Sequence, residues 1–421
     1  MATINIIGAG PTGVTIGWEL AAAGHEVHIW EKNDTCGGSW WEPDGVRNMH
    51  APRVLFKHAY GNFRSLLCEM GLQWDKYFIK SDTIEKNMQT AFKYLNFKDY
   101  LTLSKLIISA KSDKKWASNT TLKNELNTSI SESGKKLLSV LPIAIDGVPW
   151  DRMTVWEFVD SIDTTALSTA YTQGVSGREL GVDMECALRR RGVVFHFGEE
   201  LVNIDYNEDT YIGLFKSGKT IGEGKFILAI DPGPAKRFVK DNWGARAKPT
   251  LDTITYGCVN VMLWYKEPPK IETDIGALTA NGGKILPIWE ENDILSCTIY
   301  HECDIPRDQL VTWVCDTLGV PLPDDSIICW GSEWNGKTWD HTQTSGIYTP
   351  NPIPFTGRCP NVHMVGMMSP RRTTFASIES AVEVGRAFTR GMYGCTGPIY
   401  KTNMSYKLTI ILTVIFLALI L

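Results

Sequence analysis

The chain has 421 residues, 43% hydrophobic and 21% charged, enough for two domains and a sizeable core, which excludes a disordered polymer. A formal net charge of −5 leaves no basic footprint, so nucleic acid is not an expected partner. The ten cysteines are scattered, with no C-x-x-C pair and no His/Cys grouping at ligand spacing; free thiols in a reducing compartment are expected, and no metal site.

Thr3-Ile4-Asn5-Ile6-Ile7 is short, β-branched and apolar, and predicts a buried parallel strand beginning within a few residues of Met1, where no signal peptide is expected. It runs directly into Gly8-Ala9-Gly10-Pro11-Thr12-Gly13, a G-x-G-x-x-G. Val14 to Ala23 has apolar residues at helical spacing with Gly24 as the stop, and a second strand, Glu26 to Trp30, ends in Glu31 and Lys32. In such a unit the first glycine makes the turn, the second admits a pyrophosphate and the third lets helix and strand pack closely. The helix N-terminus attracts the phosphates, and an acid about twenty residues on accepts from a ribose diol. A glycine turn alone would be weak; strand, glycines, helix, strand and acid in order point to a dinucleotide.

A second glycine pair follows in Cys36-Gly37-Gly38-Ser39-Trp40-Trp41. Here the chain resembles the large family of flavoproteins whose N-terminal Rossmann unit ends in an acid followed by a Gly-Gly loop. The resemblance implies FAD, with the second loop beside the pyrophosphate and ribityl chain. Candidate contacts are Gly8, Gly10, Pro11, Thr12, Gly13, Glu31, Lys32, Gly37, Gly38, Ser39 and Trp40.

Further along, Phe63 to Met70 predicts an amphipathic helix stopped by Gly71. With His50 and Tyr60-Gly61-Asn62 it resembles the carotenoid-desaturase-like branch of the same family. Asp82 to Val140 is polar and of mixed helical pattern, as an inserted substrate-side lobe would be, and Trp150 to Ile162 predicts another amphipathic helix. Asn119-Thr-Thr and Asn127-Thr-Ser match the glycosylation pattern, although the thiols argue against secretion. Val182 to Arg191 predicts a helix, Gly192 to Phe197 a strand, and Leu201 to Ile204 a second extended piece. Next come a hairpin turning at Ser217-Gly218 and a buried strand, Lys225 to Ile230. This order resembles the middle of amine oxidases and desaturases, where the residue matching Leu201 contacts the adenine edge through its backbone.

Thr250 to Tyr265, Gly283 to Tyr300 and a helix over Gln309 to Leu318 fit an antiparallel substrate-domain sheet flanked by helices. Cys297 and Cys303 flank Tyr300-His301 without making a persuasive metal site. Trp264, Trp289, Tyr300, Trp330, Trp334 and Trp339 could wall a pocket, but core packing explains them as well, and none is assigned to substrate.

Asn361 to Gly366 predicts the last core strand, and Ser377-Ile378-Glu379-Ser380-Ala381-Val382-Glu383 opens a helix running to about Met392. This closely resembles the C-terminal flavin-binding segment of the amine oxidase and phytoene desaturase family. The resemblance adds Gly366, Met367, Ser377 and Ile378 to the candidate contacts, with the Ile378 N–H beside the charge that reduced flavin develops. Two departures stand out: Met367 replaces the family's acid, and Ser380 replaces a glycine. Cys359 lies too near the strand to match a covalent flavin cysteine, so the FAD is expected to be noncovalent. No catalytic residue can be assigned; Lys284 is a weak candidate for holding water near the flavin.

The expected fold is α/β. A discontinuous Rossmann-like FAD-binding domain takes residues 1–60, 175–245 and 355–403, and an inserted α+β substrate domain takes 61–174 and 246–354. The expected activity is FAD-dependent oxidation of an apolar or amine substrate. An NADPH-dependent monooxygenase is disfavoured because no second G-x-G-x-x-G follows a strand near Gly174, Gly177 and Gly181. A membrane-tethered, non-catalytic protein keeping the fold is the third reading. Residues 404–421 end the chain in an uncharged apolar run after Lys407. As a helix, Leu408 to Leu421 would span only about 20 Å of a roughly 30 Å hydrocarbon core, yet it is apolar on every face. A membrane anchor is expected there, with the catalytic domain on the cytoplasmic side.

Overall fold

The architecture comes from a computed structural model describing residues 1–43, 49, 53–81, 92–165, 169–239, 242–244, 247, 255–256, 258–273, 275–290, 293–300, 303–341, 345–346, 352–374 and 376–401. His50, His301 and the apolar tail at 404–421 lie outside the described residues.

Strand β1 (Thr3–Ile7), helix α1 (Pro11–Ala22) and strand β2 (Glu26–Glu31) form as expected, the helix starting earlier because Pro11 occupies its first turn. Helix α2 (Gly61–Glu69) follows, then a helical lobe that includes α3 (Phe97–Ser112), α4 (Glu132–Asp146) and α5 (Val155–Thr165). Helix α5 starts later than the apolar pattern predicts. Arg152 and Met153 donate to Pro149 O in a turn, and Thr154 and Glu157 then close a reciprocal cap.

The chain returns through α6 (Gly177–Arg190), β3 (Val194–Phe197), the hairpin β4 (Leu201–Asn207) and β5 (Thr210–Phe215), and β6 (Lys225–Leu228). The strands β7 (Val259–Trp264), β8 (Ile285–Trp289) and β9 (Ile294–Ile299) make the expected antiparallel sheet, which an unforeseen strand β10 (Asp325–Ile328) extends in the order β8-β9-β7-β10. The strand β11 (Val362–Met364) and helix α7 (Ile378–Tyr393) are the last elements among the described residues.

The central sheet is parallel throughout, in the order β11-β6-β1-β2-β3. Both faces of β1 are covered, so Ile4 and Ile6 pack against α1, α6 and α7, while Ile7 joins Trp30, Phe215 and Leu228 under the β4–β5 hairpin. The buried Asn5 is satisfied, donating to Glu223 O and accepting from the Trp30 indole. The strand order reverses between β1 and β6, and a ligand of such a sheet binds outside the strand ends at that point. Gly8 and Asp231 mark those ends. Among the described residues no helix is long and apolar enough to cross a membrane.

Candidate functional site

The turn after β1 is held from two sides. Gly8 N–H donates to Trp30 O at 2.8 Å, and Ala9 N–H donates to Glu31 Oε2 at 2.7 Å. Gly13 has no room for a side chain: a Cβ there would sit 2.0 Å from Gly8 O, so helix and turn meet backbone to backbone. Gly10 is the N-cap of α1 and offers no side-chain acceptor, which leaves the first-turn N–H groups of Thr12 and Gly13 facing outward without a cap. A phosphate would supply the missing acceptor, so this helix start fits a dinucleotide.

The second glycine loop lies against the first. Gly37 N–H donates to Ala9 O at 3.0 Å, and Gly38, with φ of 58°, faces Gly10 so closely that a Cβ would come 2.7 Å from its Cα. Glu31 is buried, and its other oxygen accepts from Asn33 N–H at 3.0 Å. Each oxygen keeps a second lone pair for a ribose hydroxyl. Burial pushes the Glu31 carboxyl up, with the Ala9 and Asn33 N–H groups pulling it back.

The late helix arrives at the same place. The Thr12 hydroxyl donates to Ala381 O at 3.2 Å, and Gly385 of α7 lies over Thr12 and Thr15. Ala9, Pro11, Gly37, Trp40 and Ile378 line one small apolar recess with Gly177, Leu180, Gly181 and Met184 of α6. Residues more than 360 positions apart therefore share one site. At α7 the two departures from the family pattern acquire roles. Ser380 exchanges bonds with Ser377 in a capping box, and its hydroxyl also reaches Met367 Sδ at 3.7 Å. The box uses the Ser377 and Ser380 N–H groups and leaves that of Ile378 out.

Other expected contacts are placed less directly. Trp40 packs edge-on to Phe63 and Phe78 with the Arg53 guanidinium 5.1 Å from its ring centroid, so it walls the recess from the core side. Ser39 offers its carbonyl to Arg53 at 3.1 Å. Lys32 is exposed, its charge lying near Glu31 and Asp231. Leu201 pairs with Phe215 beside a bulge and packs with Trp30, behind the acid. Gly366 N–H donates to the Ser369 hydroxyl. Cys359 is buried, its N–H on Asn242 Oδ1 at 2.7 Å. Lys284 is exposed and is not among the residues lining the recess.

Three groups escaped the sequence reading. Buried Glu42 and Arg53 pair at 2.9 Å, and Glu42 also takes Gly177 N–H, pinning the second glycine loop to the start of α6. Asp231, just past β6, is pushed up to about 6 by burial, with Lys32 acting against that. Glu379 accepts from the N–H groups of Asn62 and Phe63 at the start of α2, and burial pushes it up to about 7. An acid in a glycine-rich aromatic stretch was the only signal for Glu42. Among the described residues no His/Cys/Asp/Glu group could hold a metal ion.

The family described as NAD(P)-binding Rossmann-like domain matches residues 6–70. No curated protein matches the sequence. Among solved structures, putrescine oxidase bound to putrescine is similar at a TM-score of 0.63 and 14% identity, covering 93% of this chain and 99% of that one. An oxidoreductase from Methanosarcina mazei gives 0.62 and 13%, covering 92% and 100%. A CLA-producing fatty acid isomerase from P. acnes gives 0.63 and 12%, covering 93% and 99%. The chain has the fold of these proteins over nearly its whole length, and the expected Rossmann-like, dinucleotide-binding architecture is borne out.

Proposed function

We propose that the chain is an FAD-dependent oxidoreductase of the amine oxidase and desaturase type, holding FAD noncovalently and oxidising a small apolar or amine substrate. The observation that carries this reading is the meeting of the uncapped start of α1 with the start of α7 across the Thr12–Ala381 bond. Only an elongated ligand with phosphates at one point and a ring system at another uses both. The shared fold with an oxidase and an oxidoreductase supports the same reading.

When bound, FAD would supply a hydride acceptor. The chain's own part is binding and electrostatics. The α1 N-terminus holds the phosphates through its free N–H groups and dipole. Glu31 would receive ribose hydroxyls, and Leu201, packed with Trp30 behind that acid, would lie nearest the adenine. Gly37, Gly38, Ser39, Gly366 and Met367 would flank the chain between phosphate and ring. The Ile378 N–H and the positive end of α7 favour negative charge on the ring.

The monooxygenase alternative needs a second phosphate turn. Contrary to the sequence reading a strand, Ala170–Gln173, does run into Gly174, but it belongs to a small antiparallel sheet and the glycines after it are otherwise engaged. A Cβ on Gly177 would fall 1.9 Å from Trp40 O, and one on Gly181 would fall 2.1 Å from Cys36 O. The division into an FAD-binding domain at 1–60, 175–245 and 355–403 and a substrate domain between belongs to the proposal. So does a membrane anchor at 404–421 with the catalytic domain on the cytoplasmic side. Purified protein should be yellow with a flavin absorption spectrum, and mass analysis of the released cofactor should give FAD. A colourless protein that takes up no flavin would return the chain to the non-catalytic reading.

A further inference from the structure

The segment leading into α7 is held almost entirely by carboxylates. Arg372 and Thr373 N–H donate to the two oxygens of Glu383 at 3.0 and 2.8 Å. Thr374 gives both its N–H and its hydroxyl to Asp160 Oδ2, each at 2.8 Å. Ala376 N–H donates to Asp146 Oδ1 at 2.9 Å, and Ser377 N–H enters the capping box. Glu383 belongs to α7 itself, whereas Asp146 and Asp160 come from α4 and α5 of the helical lobe.

Asp146 is an awkward residue for folding alone. It is 5% exposed, and its Oδ2 is buried with no hydrogen-bond partner. It is also the last residue of α4, where the helix dipole disfavours negative charge. A residue that breaks several local rules at once marks a functional position.

We propose that Asp146 and Asp160 are positioning residues of the cofactor site, through which the helical lobe sets the placement of the first turn of α7. The proposal rests on the reading of that turn as flavin-facing. Ordering of the lobe and occupancy of the dinucleotide site then favour one another, because one segment is bonded to both. The clasp also senses protons, since burial pushes Asp146 up to about 6, with the Ala376 N–H and then Arg371 lowering and Asp160 raising it. Glu157 of α5 and the Tyr60 phenol face the same group, while the helix Ile275–Ala280 packed along α4 carries no titratable side chain. Protonation turns a charge-assisted bond to Ala376 into a neutral one, which is weaker.

The test uses the full chain with Asp146→Asn, Asp160→Asn and both together. Amide exchange is followed in the apo-protein, and FAD affinity by flavin fluorescence between pH 5 and 8. In the double variant the 374 and 376 amides should exchange faster while β1 and β6 are unchanged, and FAD should bind about tenfold more weakly at pH 7.5. Wild-type affinity should fall below about pH 6, and that dependence should flatten in Asp146→Asn. Unchanged FAD affinity in the variants overturns the proposal, even if exchange is faster, because the clasp is then only structural. Wild-type protein that binds no FAD at any pH overturns the flavin reading first and this proposal with it.

Discussion

Replacing Arg386 with Met tests how the late helix is locked to the early one. The guanidinium is fully buried, with Nε 3.1 Å from Glu19 Oε1 on α1, Nη2 2.6 Å from Glu69 Oε1 on α2, and Nη1 2.7 Å from Pro398 O. Met fills much of the same volume but leaves the carboxylates behind. Glu69 is partly exposed and already accepts from Trp18 and Ser65, so it rehydrates at small cost. Glu19 is 7% exposed and keeps the Gly397 N–H beside it, with the Arg191 charge as the remaining cation near it. Burial already pushes its carboxyl up and Arg386 holds it down, so without the arginine it takes a proton or stays charged at high cost. Removing one partner of a buried pair costs about 3–5 kcal/mol, and Arg386→Met should lie near the lower end. Adding Glu19→Gln should recover about 1–2 kcal/mol of that loss, because the stranded charge goes. Urea unfolding at constant slope measures both. A single variant within about 0.5 kcal/mol of wild type, or a double variant no better than the single, would refute the reasoning.

Gly38→Val should abolish flavin uptake while leaving the antiparallel sheet folded, because its side chain would collide with Gly10 across the two loops; retained yellow colour would contradict this. Stability should depend on pH through Glu157, whose carboxyl burial pushes up to about 7 from an ordinary value of 4.5. The folded state then binds more protons than the unfolded one, so this contribution is fully present below pH 4.5 and is lost as the pH rises through 7. Glu157→Gln should flatten that slope in melting curves, and an unchanged slope would remove Glu157 as its source. Deleting 404–421 should move the protein from the membrane to the soluble fraction without lowering its melting temperature; a wild-type chain already soluble would remove the anchor.

The legible parts of this molecule were those whose signals are local. Strand, turn, helix and acid follow one another between Thr3 and Glu31, and each constrains the next within a few residues. Ser377 announced its helix in the same way, although Ser380, which departs from the family's glycine, is the residue that completes the cap. Thr154 and Glu157 carried a readable capping signal, and the apolar pattern upstream masked it. Glu42–Arg53, Arg386–Glu19 and the carboxylate clasp were invisible for a different reason. Their partners are brought together only by the fold, up to 367 positions apart, and a charged residue in sequence looks the same whether it ends in water or in a buried pair. The sixteen candidate contacts fared according to the same rule. Gly8 to Gly13, Gly37, Gly38 and Trp40 draw together with Ile378, whereas Lys32 stays at the surface.

The most direct test of the convergence of both ends on one ligand is an amide-exchange footprint of the full chain with and without FAD. Protection should rise together over residues 9–13 and 377–381, on either side of the Thr12–Ala381 bond. Protection confined to one of these segments, or absent from both at saturating FAD, would contradict the account.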